Sequence, residues 1–426
     1  MLSRISLKSA TCLKTSARHQ SCVGRVSSAQ VIRKEEKYSC HNYHPLPVAL
    51  CRGSGIYAWD VEGNRYWDFL SGYSATNHGH CHPRIMEAMV QQMQVLHHTS
   101  RAFHTDVLGE FAEMICQLFK YDKMLPMNTG VEACESACKI ARKWAYNVKG
   151  IENGKAVIVF AEGNFWGRSL AAVSSSTDPE SYDGYQPLMP GFELVPYNDL
   201  KSLEEALKNP NVCAFMVEPI QGEAGVLVPD DHYLKGVREL CTKNNVLWIA
   251  DEVQTGLGRT GKRLCVDYAG VRPDLLVLGK SLAGGLYPVS TVLADSPIMD
   301  VITPGTHGST FGGNPLGSRV AMAGLQVLED ENLSQNSFDM GKLMRERLRD
   351  MKGSVITEVR GKGLMNAIDI NTDAVDPWEL SLLLMKAGLL TKVAHGKALR
   401  LSPPLTINRL EMNEAMDAMK ATINSV

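Results

Sequence analysis

The sequence predicts an α/β protein: a three-layer large domain on a mostly parallel sheet, plus a smaller α+β domain drawn from the N- and C-terminal segments. Short apolar runs such as AVIVF, CAFMVEP, VLWIAD and DLLVLGK alternate with helical patterns from about Pro83 onward, and strands apolar throughout are those covered on both faces. From about Ala321 the pattern changes to long helices and a glycine-centred strand pair. The chain's 426 residues also exceed the size at which a single core keeps growing.

In chain order, the first segment stands apart. Arg4, Lys8, Lys14, Arg18, Arg25, Arg33 and Lys34 precede any acid, and Ser recurs seven times among them. An Arg- and Ser-rich, acid-free leader without a long apolar centre has the composition of a mitochondrial transit peptide, which places the mature protein in the matrix. GIYAWDVEGNRYWDF then alternates apolar and polar residues around Glu62, Gly63 and Asn64, a hairpin pattern. RIMEAMVQQMQVL, VEACESACKIARKWAYNV and LKGVRELCTKNN carry helical periodicity. Beyond Ala321, VAMAGLQVLEDENL reads as a helix, VITEVRGKGLMNAIDI as two strands, WELSLLLMKAGLL as a helix ending at Gly388, ALRLSPPL as a short strand and RLEMNEAMDAMKATI as the last helix. The expected divisions are 1–34 for the leader, 35–75 for the N-terminal part of the small domain, 76–320 for the large domain and 321–426 for the C-terminal part.

Composition removes several classes of function. A net charge of -2 gives no nucleic-acid footprint, and no apolar run reaches the about 18 residues of a membrane helix. Eleven cysteines are scattered without a Cys-x-x-Cys pair, which fits a reducing compartment, and Cys134 and Cys138 share a helix face as small packed residues. His78, His80, Cys81 and His82 crowd together in NHGHCHP. Recognised zinc spacings pair such a cluster with a second one; without it the stretch reads as a turn into a helix, and no metal is expected.

Glycine motifs mislead in NNVLWIADEVQTGLGRTGK. Gly256, Gly258 and Gly261 spell G-x-G-x-x-G, but EVQT separates them from the strand that a dinucleotide site requires. A phosphate loop fails too, because Arg263 occupies the Ser/Thr position. A nicotinamide-dependent oxidoreductase would need nucleotide binding here. The glycines instead shape a loop.

The acid ending VLWIAD poses the sharper problem. Asp251 at the end of an inner strand is costly unless a positive charge meets it. Lys280 ends the next strand amid apolar and small residues, where desolvation lowers an amine's pKa and suits it to imine formation with an aldehyde. On the strand pattern alone it is a surface lysine. Pyridoxal 5'-phosphate needs both groups, a lysine for its aldehyde and an acid for its ring nitrogen. Asn128, Thr129, Gly130 and Val131 at a helix start offer amides to the phosphate. Phe165 and Trp166 are candidate stacking rings or core residues, and Arg168 is a candidate carboxylate clamp.

WIADEVQTGLGRTGKRLCVDYAGVRPDLLVLGKSLAGG resembles the signature of the subgroup III pyridoxal-phosphate-dependent aminotransferases. The resemblance runs from about Tyr38 to the C-terminus, and HNYHPLPVAL, SGYSATNHGHCHP, PMNTGVEA, VEPIQGEAGV and HGSTFGGNPLG resemble members that act on ornithine. It implies a fold-type I enzyme that moves the δ-amino group of ornithine to 2-oxoglutarate. Lys280 would hold the cofactor and then shuttle the proton, Asp251 would pair with the ring nitrogen, and Gln254 would bond the phenolic oxygen. Gly130 and Val131 would hold the phosphate, Ser309 and Thr310 would reach it from a second subunit of a homodimer or larger assembly, and Phe165 would stack on the ring. The resemblance places Tyr43, Tyr73 and Arg168 around ornithine, puts Arg400 on the 2-oxoglutarate carboxylate with Glu223 neutralising it in turn, and leaves Glu218 behind the site. Acetylornithine and 4-aminobutyrate aminotransferases share much of this signature and stay open as alternatives, as does a noncatalytic relative.

Overall fold

The structure, a computed structural model, describes residues 26–351, 353–394 and 396–426. These fall into two compact units, each taken by itself: the described chain up to Arg52 with Trp59–Arg65, and Gly53–Ala58 with Tyr66–Val426. The expected leader up to residue 25 lies outside the described residues. Its end is a helix, Ser28–Tyr38, which runs across the expected 34/35 division. The cause is local: the Ser27 side chain accepts from the Gln30 amide while Gln30 Oε1 accepts from the Ser27 amide at 2.9 Å, satisfying two orphan donors. Glu62 adds acceptors at 2.6 Å for the Ser28 amide and hydroxyl. The expected turn around Gly63 follows, with the Asp60 amide donating to Asn64 O at 3.1 Å.

The second unit is built on a seven-stranded sheet in the order Lys123–Met127, Ser290–Ala294, Leu275–Leu278, Leu247–Asp251, Val212–Val217, Val157–Ala161, Phe192–Val195. Ser290–Ala294 runs against both neighbours, and the remaining pairings are parallel. The apolar strands are buried on both faces. Leu247 and Ile249 join one core with Ala133, Ala137 and Ile140 of the helix Gly130–Trp144, while Trp248 and Ala250 join the other with Val237 and Cys241 of the helix Tyr233–Lys243. Each large side chain so buried contributes about 1.5–3 kcal/mol. No helix of the described residues is long and apolar enough to cross a membrane.

A second, antiparallel sheet has the order Ile356–Lys362, Met365–Ile370, Ala398–Leu401, Lys392–Ala394. Helices Leu333–Asp350, Pro377–Lys386 and Arg409–Ile423 accompany it. The change of pattern expected near Ala321 falls inside a helix, Pro315–Asp330. That helix starts early because Asn314 accepts from the Gly317 amide at 2.8 Å and proline opens the first turn.

Parallel strands send their carboxyl ends to one sheet edge, the edge where open α/β sheets bind ligands. Directly after the strand of Asp251, the loop with Gly256, Gly258 and Gly261 carries Arg259, which is fully buried. Arg259 Nε and Nη2 donate to Asn77 Oδ1 at 3.1 and 2.5 Å, and Nη1 donates to Leu364 O at 2.9 Å and Pro403 O at 2.7 Å. Among the described residues no carboxylate forms an ion pair with it, and burial lowers its pKa to about 9. One guanidinium thus ties the glycine loop, the Asn77 segment, the residue that precedes Met365–Ile370 and the segment just past Ala398–Leu401. Each acceptor stranded by its removal costs about 1–3 kcal/mol, so Arg259→Ala should destabilise the protein by about 3 kcal/mol or more, read as a lowered denaturant midpoint.

Candidate active site

Lys123–Met127 and the parallel strands Val157–Ala161, Val212–Val217, Leu247–Asp251 and Leu275–Leu278 bring Asn128–Val131, Phe165, Glu218, Asp251 and Lys280 to the same edge. Asp251 is 5% exposed. Its Oδ1 accepts the Val253 amide at 3.0 Å, and among the described residues its Oδ2 has only the Cys134 thiol, at 3.5 Å. Burial raises its pKa, with the Val253 amide and Lys280 opposing. A thiol is a weak donor, so the carboxylate keeps acceptor capacity and lacks a cation in contact. Glu252 faces away: the Thr255 hydroxyl and the Val266 amide, at 2.9 Å, donate to it, while burial pushes it up to about 7.

Lys280 follows Gly279 into a short 3-10 turn with φ 45°, a left-handed conformation that a non-glycine residue keeps only where its surroundings impose it. Burial lowers its pKa, against the raising effect of Glu223. The amine is thereby less firmly protonated than a surface lysine.

The candidate phosphate cradle is a helix start. Thr129 caps Gly130–Trp144 in a reciprocal pair with Glu132, whose Oε2 accepts the Thr129 amide at 2.7 Å. The Gly130 and Val131 amides have no acceptor among the described residues. A Cβ on Gly130 would lie 2.9 Å from Val253 Cγ1, so glycine lets the helix start approach the segment after Asp251. Ser309 accepts from Asn128 Nδ2 at 2.8 Å within the same chain, and Thr310 is exposed beside it.

Arg400, 2% exposed, donates through Nη1 to Glu223 Oε1 at 3.1 Å and Gln254 Oε1 at 3.4 Å, and through Nη2 to Gly222 O at 2.7 Å. The Tyr73 ring lies 5.0 Å from its guanidinium carbon. Burial would raise Glu223; Arg400 and Lys280 outweigh it and hold the carboxyl below its usual range. Gln254, Glu223, Arg400 and Tyr73 are therefore one cluster. Arg168 is exposed and stacks its guanidinium 5.7 Å from the Phe165 ring. Trp166 resolves to its packing role: buried, it stacks on Phe160 at 5.7 Å and donates to Ser175 Oγ at 2.8 Å. Tyr43 belongs to the first unit.

The histidine cluster disperses. His78 bonds Gly324 O at 2.9 Å, His80 bonds Asp68 at 2.9 Å and His82 bonds Glu331 at 3.1 Å. Among the described residues no group of potential metal ligands forms. Sequence reasoning missed Cys134 as a partner of Asp251, and Arg259 altogether.

The family model "Aminotransferase class-III" matches residues 38–423. The chain belongs to the class-III aminotransferases. It is 60% identical over 423 residues to "Ornithine aminotransferase, mitochondrial" of Rattus norvegicus, covering 99% of this chain and 96% of that one. Among solved structures, the ornithine aminotransferase of Toxoplasma gondii ME49 superposes with a TM-score of 0.93 at 46% identity, covering 94% of this chain and 96% of that one. The acetylornithine aminotransferase of Elizabethkingia anophelis gives 0.86 at 49% identity, covering 94% and 100%. Class-III aminotransferases use pyridoxal phosphate, and the residues present fit it: a buried acid without a cation in contact, a lysine with a lowered pKa and two open amides share one edge.

Glu252 supplies a clean pH test. Its pKa in the folded protein, about 7, lies above the ordinary 4.5, so the native state holds the proton more tightly and stability falls as it is lost. Relative to Glu252→Gln, the wild-type protein should lose stability as the pH rises from about 4.5 to about 7, measured by melting the cofactor-free proteins across that range.

Proposed function

We propose that this class-III aminotransferase moves the δ-amino group of L-ornithine to 2-oxoglutarate, giving L-glutamate 5-semialdehyde and L-glutamate. The observation that carries the reading is the ion pair of buried Arg400 with partly exposed Glu223 at 3.1 Å, with Gln254 against Arg400. A single site must accept a donor that carries a distal ammonium and then an acceptor that carries a distal carboxylate. Glu223 neutralises Arg400 for the first and releases it for the second. The names of the relatives support the same donor.

Bound pyridoxal phosphate supplies an aldehyde that takes the amino group and a ring that accepts electron density when the substrate's C–H bond breaks. The chain's residues do the rest. Asp251 would hold a proton at the ring nitrogen, Gln254 would bond the phenolic oxygen and Phe165 would pack on the ring. Gly130 and Val131 would offer their amides to the phosphate. Lys280 Nζ would hold the group and, as an amine with a lowered pKa, would move the proton from the substrate carbon. Arg168 would take the ornithine carboxylate and Tyr73 would shape the pocket so that the δ-amine points inward.

Assayed with 2-oxoglutarate, ornithine should be the preferred donor over acetylornithine and 4-aminobutyrate; faster turnover of either rival would overturn the donor assignment. Arg400→Ala should raise KM for 2-oxoglutarate about a hundredfold, about 2.7 kcal/mol, while ornithine still converts the bound cofactor to its aminated form.

The assembly we propose is a homodimer in which Ser309 and Thr310 of a second copy reach the phosphate. Val95, Leu96, Phe103 and Phe311 are exposed apolar side chains in the two segments concerned, and a second copy is the occupant that would cover them. Phe103→Asp with Phe311→Asp should give a monomer by sedimentation and at least a tenfold loss of cofactor affinity. For location we propose the mitochondrial matrix, supported by the basic leader and by the mitochondrial relatives.

A further inference from the structure

Glu218 stands one residue past the strand Val212–Val217, and the register that pairs Val217 with Ala250 sets it beside Asp251. It is 6% exposed. Its oxygens serve two different loops: Oε1 accepts the Phe165 amide at 3.0 Å and Oε2 accepts the Gly222 amide at 3.2 Å. The connection continues, since Gly222 O accepts from Arg400 Nη2 at 2.7 Å. A Cβ at Gly222 would fall 2.1 Å from Gln254 Oε1, so this peptide also fixes where Gln254 lies.

We propose that Glu218 is a positioning residue that locks the Phe165 loop and the Gly222–Glu223 loop in one geometry, so that the 2-oxoglutarate subsite at Arg400 depends on it. Once ionised, which both amides favour, the carboxyl accepts with both oxygens at once; an amide of the same shape turns a donor toward one of the two N–H groups in every state. Placing a second acid beside Asp251 is costly. Burial and then Asp251 push Glu218 up to about 8, while Phe165, Gly222 and Lys280 oppose. The two amides account for an acid at this cost, and they sit in the two loops that touch ring and substrate.

The inference rests on the reading of Arg400 and Phe165 given above. Its test uses Glu218→Gln holoenzyme, with Glu218→Asp as a second variant that keeps the charge and shortens the reach. Glu218→Gln should raise KM for 2-oxoglutarate about tenfold, leave KM for ornithine within about twofold, and alter the visible circular dichroism of the bound cofactor as the Phe165 ring shifts. Glu218→Asp should give a smaller shift of the same kind, about threefold. Unchanged dichroism with an unchanged KM ratio in both variants would overturn the proposal, as would a parallel rise of both KM values with a lowered melting temperature, the mark of a merely structural residue. Arg400→Ala run alongside separates the failures. If it leaves KM for 2-oxoglutarate unchanged, the functional reading falls and this inference with it; if it raises KM while Glu218→Gln does not, this inference alone falls.

Discussion

The structure depends on a carboxylate that the protein does not satisfy by itself. Asp251 ends an inner strand, accepts one amide and one thiol, and has no cation in contact. Glu218 and Glu252 are buried as well, while the Val253 amide and Lys280 offset part of the cost of burying Asp251. Three acids at one sheet edge are tolerable because each has a distinct set of donors. Glu252 bonds the loop that follows it and Glu218 bonds two neighbouring loops, and in the proposed function Asp251 is left for the pyridinium of the cofactor.

Charge balance then extends outward. Arg400 and Lys280 lower the pKa of Glu223, and Glu223 raises that of Lys280 against its burial, so these groups form one charge-coupled set. In the proposed mechanism a substrate of either sign replaces one member of that set rather than adding an unpaired charge. Desolvation makes the replacement specific, because a group left without a partner in a buried site costs far more than it would in water.

Much of this was legible in the sequence. Parallel inner strands announce themselves through unbroken apolar runs, and Asp251 and Lys280 were conspicuous because polar groups ended such runs. The strands Lys123–Met127, Phe192–Val195 and Ser290–Ala294 did not stand out, since proline, an acid or small polar residues interrupt them and their pairing is settled by neighbours distant in the chain. Arg259 was invisible for a related reason. An arginine among glycines reads as a surface loop, and its burial follows from carbonyls at Leu364 and Pro403 that no local pattern foretells. The link from Cys134 to Asp251 likewise joins a helix and a strand 117 positions apart.

The anchoring of Arg259 bears on timing. Its guanidinium grips the carbonyl of Pro403, three positions past Arg400, and so holds the backbone just beyond the strand that carries Arg400. The proposed exchange of Arg400 between Glu223 and an incoming acceptor then asks for torsional rotation of side chains, a class of motion far quicker than hinge movement of whole domains.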